Sequence, residues 1–169
     1  MSSKNPFKVV FVGESKVGKS SIIGQYVSGK FNPKIQPSNT GQFIQKEVKL
    51  TDNSSVTLDI WDTPGEAKYR NVTKIYLKDV KAIVLVYDIT DKNTFKELKN
   101  FWYNSNKDCG AKFFVVANKW DLDDKEDEEG KGFAIGIGAN FFSVSAKDNM
   151  GLNSLFFKIA ETANKCLKK

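Results

Sequence analysis

With 169 residues, 40% hydrophobic and 27% charged, the chain is long enough to bury a substantial core as one domain over residues 1–169 without staples. It has no histidine, which excludes histidine base chemistry, and its two cysteines, Cys109 and Cys166, lie too far apart in sequence to suggest a disulfide framework or zinc site; a reducing compartment fits best. The net charge of +6 reads as a lysine-rich solvated surface, with no nucleic-acid partner expected, and no apolar run is long enough to span a bilayer. The Met1-Ser2-Ser3 start is neither a signal peptide nor a myristoylation site.

The first apolar run, Val9-Val10-Phe11-Val12, reads as a buried strand, and Ile22, Ile23, Tyr26 and Val27 fall at the spacing of a helix's buried face. Between them lies Gly13-Glu14-Ser15-Lys16-Val17-Gly18-Lys19-Ser20, a complete G-x-x-x-x-G-K-S loop followed by Ser21. Glycines let consecutive amides point inward, and the following helix adds unpaired donors and the positive end of its dipole. Lys19 then reaches the outer phosphates of a nucleotide and the Ser20 hydroxyl can ligate Mg²⁺.

Ser28-Gly29-Lys30 stops the helix, and residues 32–42, with Pro33, Pro37 and Gly41, have no period and read as a loop. A hairpin follows: Ile44, Val48 and Leu50 share a parity, Asp52–Ser55 turns, and Val56, Leu58 and Ile60 alternate. A polar helix is expected after Asp62-Thr63-Pro64-Gly65, running to about Lys78. Ala82–Tyr87 and Phe113–Ala117 are buried strands by their continuous apolar character, separated by a helix with Phe95, Leu98, Phe101 and Trp102 on one face. Residues 123–140 begin acidic and carry four glycines, so any helix there is weak; the acidic run lacks the glycine and spacing of a calcium loop. Phe141–Val144 is the last strand, and Leu152, Leu155, Phe156, Ile159 and Ala163 mark a long closing helix. The alternation predicts an α/β fold with a six-stranded, mostly parallel sheet, one antiparallel edge strand, and helices on both faces.

The tetrad Asn118-Lys119-Trp120-Asp121 stands where a buried strand reaches the carboxyl edge of such a sheet, the edge at which ligands bind. A carboxylate there can accept from guanine's ring N–H and amino group together, a pattern adenine lacks. Ser145-Ala146-Lys147 follows the next strand in the same position.

These motifs, in this order, resemble the small GTPases of the Ras superfamily, and within it the Rab branch, over almost the whole chain. The resemblance implies a P-loop NTPase (small G-protein) fold, GTP or GDP with Mg²⁺ as ligands, and a monomer that engages effector, exchange-factor and activating proteins on the cytosolic face of an endomembrane. By it Asp121 selects guanine, Asn118 and Lys119 brace the base and loop, the Ala146 amide meets the guanine oxygen, Phe31 stacks on the base, and Leu122, Ser145 and Lys147 complete the contacts. Trp61-Asp62-Thr63-Pro64-Gly65 resembles the family's W-D-T-A-G, so Asp62 serves Mg²⁺ and the Gly65 amide meets the γ-phosphate; Lys19, Gly65 and Glu66 form the catalytic set. Phe43, Trp61 and Tyr76 fall where Rab proteins keep an effector-facing aromatic triad; the alternative is plain half-buried packing.

The chain departs from the family in four places. The family's Mg²⁺-binding threonine falls on Ser38, which keeps a hydroxyl, with Thr40 as a slipped-register alternative. Its water-orienting glutamine is Glu66. A carboxylate about 4 Å from the γ-phosphate, at an effective dielectric near 20, is repelled by roughly 4 kcal/mol per unit-charge pair. It should swing away and leave water unpositioned, giving slow hydrolysis or a scaffold with negligible turnover; the opposing view is a protonated Glu66 or one acting as base. Pro64 replaces an alanine and should stiffen the loop. The chain ends Cys166-Leu167-Lys168-Lys169 without a prenylation box, so either a lipidated tail has been cut away, which the run-on from the closing helix favours, or anchoring differs. An ATP-dependent enzyme built on the same loop is a third possibility, against which Asp121 argues.

Overall fold

The computed structural model describes residues 6–36 and 39–169. Strands β1 (Phe7–Val12), β2 (Gln42–Lys49), β3 (Ser55–Asp62), β4 (Ala82–Asp88), β5 (Lys112–Asn118) and β6 (Asn140–Ser143) form one sheet in the order β2-β3-β1-β4-β5-β6. Only the β2–β3 hairpin pair is antiparallel; the other four pairings are parallel, as the sequence pattern predicts.

Successive β1 residues face opposite sides, so the sheet carries two cores. Val9 and Phe11 join a cluster with Ile22 and Ile23 of α1 (Lys19–Ser28) and with the Leu152, Leu155, Phe156, Ile159, Ala160 and Ala163 stripe of α5 (Leu152–Leu167). Val10 and Val12 join the other, with Phe95 of α3 (Lys92–Glu97), Leu98 and Trp102 of the π-helical turn Leu98–Tyr103, and Ala134 of α4 (Glu128–Gly136). Burial on both faces is why β1, β4 and β5 read as unbroken apolar runs.

One expectation changes in detail: the polar helix after Gly65 is a 3₁₀ turn, Ala67–Tyr69, leading into a short α2 (Arg70–Tyr76). In the glycine-bearing stretch α4 forms as a nine-residue helix. Its Asp127 N-cap accepts from the Gly130 N–H at 2.9 Å and also from the Tyr87 hydroxyl, pinning the helix start to β4. Gly130 is required there, because a Cβ would lie 2.2 Å from the Tyr87 oxygen.

Cys109 and Cys166 are both free and exposed. No helix among the described residues is long and apolar enough to cross a membrane.

A candidate nucleotide site at the carboxyl edge

Where the strand order reverses around β1, the loops at the carboxyl edge enclose a cavity of about 540 Å³. An α/β sheet of this kind offers its ligand crevice at that switch point. The first wall is the β1–α1 loop. Gly13 (φ 151°) packs so tightly under it that a Cβ would meet the Val86 carbonyl oxygen at 2.2 Å. Lys16 and Gly18 adopt positive φ (69° and 98°), and α1 starts at Gly18 without a side-chain cap, its N-terminal end turned to the cavity through Gly18, Lys19, Ser20 and Ser21. Lys19 is buried; its ammonium donates to the Gly13 and Glu14 carbonyls at 3.0 and 2.9 Å. Burial pushes its pKa down to about 8, partly offset by Asp62 and Glu14. An ammonium so starved of solvent gains from a bound phosphate.

The opposite wall is the β5–α4 loop. Asn118, at the end of β5 and buried, donates to the Val17 carbonyl at 2.8 Å and accepts from the Ala146 amide at 3.2 Å, tying three loops together. Lys119, in the left-handed region (φ 67°), is fixed by an ion pair to Asp88 at 2.8 Å. Burial alone would raise the Asp88 carboxyl, but the bonds from Lys119 and Thr90 outweigh it and hold the group below the usual range. The Ser145 hydroxyl donates to Asp121 at 2.7 Å, orienting that carboxylate into the cavity.

The cavity thus gathers most of the expected contacts. Ser15, Lys16, Gly18, Lys19, Ser20 and Ser21 line it from the first loop; Asn118, Lys119, Asp121 and Leu122 from the second; Ala146 and Lys147 from the third. Phe31 and Gly65 line it as well. Gly65 approaches the first loop so closely that a Cβ would sit 2.5 Å from the Ser15 nitrogen. Thr63, inside the Trp61–Gly65 segment, lines it too, and so do Asn32, Pro33, Ile35 and Gln36, to which the sequence assigns no site role. Those four lie in the aperiodic loop after α1, and nothing in its pattern says which way it folds.

Other expected residues lie elsewhere. Gly13, Val17 and Ser145 are buried behind the cavity as supports. Glu14 gives its carbonyl to Lys19 but turns its carboxylate outward. The Glu66 side chain leans on Lys68 at 3.5 Å, away from the cavity lining. Ser38 lies outside the described residues, and Thr40 is exposed and does not line the cavity.

Asp62 sits under Ser20, whose hydroxyl donates to one carboxylate oxygen; the other oxygen is buried with no hydrogen-bond partner. Burial raises this carboxyl's pKa, against the pull of Ser20 and Lys19. A hard cation held jointly by phosphate oxygens would fit this orphaned acceptor. No cluster of three or more His, Cys, Asp or Glu among the described residues could hold a metal unaided.

Phe43, Trp61 and Tyr76 form a contiguous aromatic row beside the site, with centroids 4.9 and 5.4 Å apart and Phe43 48% exposed. The Tyr76 hydroxyl accepts from the Gly41 amide at 3.0 Å, fastening α2 to the strand that follows the unpatterned loop.

The sequence model of the Ras family matches residues 8–165. The chain is 34% identical over 160 residues to the human Ras-related protein Rab-21, covering 92% of this chain and 71% of that one. It is 36% identical over 159 residues to mouse Rab-22A, covering 90% and 81%, and 32% identical over 158 residues to Saccharomyces cerevisiae SEC4, covering 91% and 73%.

Proposed function

The chain belongs to the Ras family, Rab-like over nearly its whole length, and from that premise we propose how its residues carry out the work of a GTP-binding, GTP-hydrolysing switch of membrane traffic. Residues 1–169 act as one G domain and as a monomer. The observation that carries the reading is that Asp121 and the Lys19 loop face one cavity of nucleotide size.

Asp121, aimed by Ser145, accepts from the guanine ring N–H and amino group; an adenine would leave this carboxylate unpaired. The Ala146 amide, held by Asn118, meets the guanine oxygen, and Phe31 covers the ring. Lys19 and the loop amides hold the phosphates, and Gly65 brings its amide to the terminal one. Ser20, Asp62 and either Ser38 or Thr40 would hold Mg²⁺, which would neutralise charge developing on the phosphate oxygens. Hydrolysis is slow, because Glu66 pairs with Lys68 and does not orient water; an activating protein supplies useful rates.

The half-buried row of Phe43, Trp61 and Tyr76, with Phe43 exposed at its end, is the effector face, since aromatics concentrate at interface centres. Attachment is peripheral, on the cytosolic side of an endomembrane. The second reading is a GTP-bound scaffold that hardly turns over, and Glu66 is the residue that favours it.

Denaturing the purified protein and chromatographing what it releases tests the core of this proposal. Guanine nucleotide is expected, GDP for a working enzyme and GTP for the scaffold. Excess ATP should fail to displace labelled GTP; equal displacement would overturn the reading.

A further inference from the structure

Glu14 is the second residue of the phosphate loop, yet its carboxylate leaves the cavity for a partner from another element. One carboxylate oxygen accepts from an Arg70 guanidinium nitrogen at 2.7 Å and from the Trp102 indole N–H at 2.9 Å. The same guanidinium nitrogen donates to Glu97 at 3.0 Å, and the guanidinium lies 3.9 Å from the centre of the Phe101 ring. Arg70 opens α2, Glu97 closes α3, and the loop backbone at Glu14 touches both Lys19 and Gly65. Arg70 is the chain's only arginine among 26 basic residues. It stands where a planar fork must serve two carboxylates while stacking on a ring, which an ammonium does poorly.

We propose that Arg70 is a positioning residue for the nucleotide: by anchoring and neutralising the Glu14 carboxylate outside the phosphate cradle, it ties the grip of the loop to the seating of α2 and slows nucleotide release. The inference rests on the guanine-nucleotide reading of the cavity. Its physical content is a competition. Glu14 and Lys19 already attract one another through space. With Arg70 removed, the carboxylate keeps only a neutral indole donor, and it turns its charge toward Lys19, competing with phosphate for the ammonium and repelling it directly. The effect therefore runs through the charge on Glu14, and deleting that charge should cancel it.

Release of N-methylanthraniloyl-GDP from the Mg²⁺-loaded protein, chased with excess GDP, reads this out. Arg70→Met should speed release about tenfold. Glu14→Gln, whose amide oxygen still accepts from Trp102, removes the charge and sets the reference rate against which the double variants are read. The double variant should fall back to the rate of Glu14→Gln alone. Trp102→Phe keeps the ring and deletes the other donor; it should speed release about threefold, with the same suppression by Glu14→Gln. It serves as the test should Arg70→Met fail to fold. Faster release that persists in the double variants would mean that Arg70 and Trp102 merely hold α2 and α3 in place, and would overturn the inference. Unchanged release in the single Arg70 and Trp102 variants would overturn it too. If the unmodified chain takes up none of the probe, the nucleotide reading itself fails and this inference with it.

Discussion

Asn118 shows how much one side chain can hold. Its amide satisfies a carbonyl on the phosphate loop and an N–H on the β6–α5 loop, both in a dry setting, and a Cβ on Gly18 would lie 2.2 Å from its nitrogen. Asn118→Ala would strand both backbone groups, at a cost of roughly 2–4 kcal/mol, and would slacken the two walls that meet the nucleotide. Urea unfolding of the nucleotide-free protein should show the loss in stability, and GDP affinity should fall with it. Glu66 is a different kind of residue, with a consequence confined to chemistry. Its side chain is 37% exposed and faces Lys68, so Glu66→Gln should leave stability within about 0.5 kcal/mol while raising the single-turnover GTP hydrolysis rate about tenfold. An unchanged rate would show that the carboxylate is not what limits turnover. The motif positions were legible one by one because each answers to its sequence neighbours. The direction of Glu14 was not, since it is set by Arg70 and Trp102, 56 and 88 residues away.

Among the elements, α4 is the one whose sequence most misleads. Gly130, Gly132 and Gly136 each disfavour a helix by about 1 kcal/mol relative to alanine, and local propensity alone argues for a loop. The helix exists because Asp127 does two jobs, capping the first turn and accepting from the Tyr87 hydroxyl of β4. Tertiary contact overrides propensity, and Gly130, which the sequence marks as a weakness, is what lets the tyrosine approach. Burial first, then the bond to Asp127 and the charges of Asp127 and Glu129, raise the Tyr87 pKa far above its ordinary value near 10. The folded protein therefore keeps a proton that the unfolded chain releases above pH 10, so ionisation favours the unfolded state as the pH rises past that point. This contribution is fully present below pH 10 and drains away as the pH rises beyond it. Tyr87→Phe should cost about 1–2 kcal/mol at pH 8, and the gap to the unmodified protein should close as thermal unfolding is followed from pH 10 to pH 11. The strands needed no such rescue. β1, β4 and β5 are apolar on both faces because helices cover both, and that pattern is readable in the sequence.

At the scale of the whole molecule the cavity belongs to no single element. Its walls come from the loops after β1, α1, β3, β5 and β6, which the parallel sheet delivers to one edge. The order of strands and helices made that edge legible, whereas the path of residues 31–36 across its mouth was not, for want of any period. A ligand touching all these loops binds only the folded chain, so it must stabilise the fold by mass action, by about 2.7 kcal/mol at a hundredfold excess over its dissociation constant. For a chain of this length that corresponds to roughly 5–10 °C in melting temperature. The two halves of the cavity can then be separated. Chelating Mg²⁺ and washing out nucleotide should lower the melting point, and GDP, not ADP, should restore it. In Asp121→Ala the phosphate half is intact while the base is no longer inspected, so GDP and ADP should now stabilise equally, each by less than GDP gives the unmodified protein. A preference for GDP that survives this substitution would place guanine selection in residues other than Asp121, and the carboxylate held by Ser145 would need another explanation.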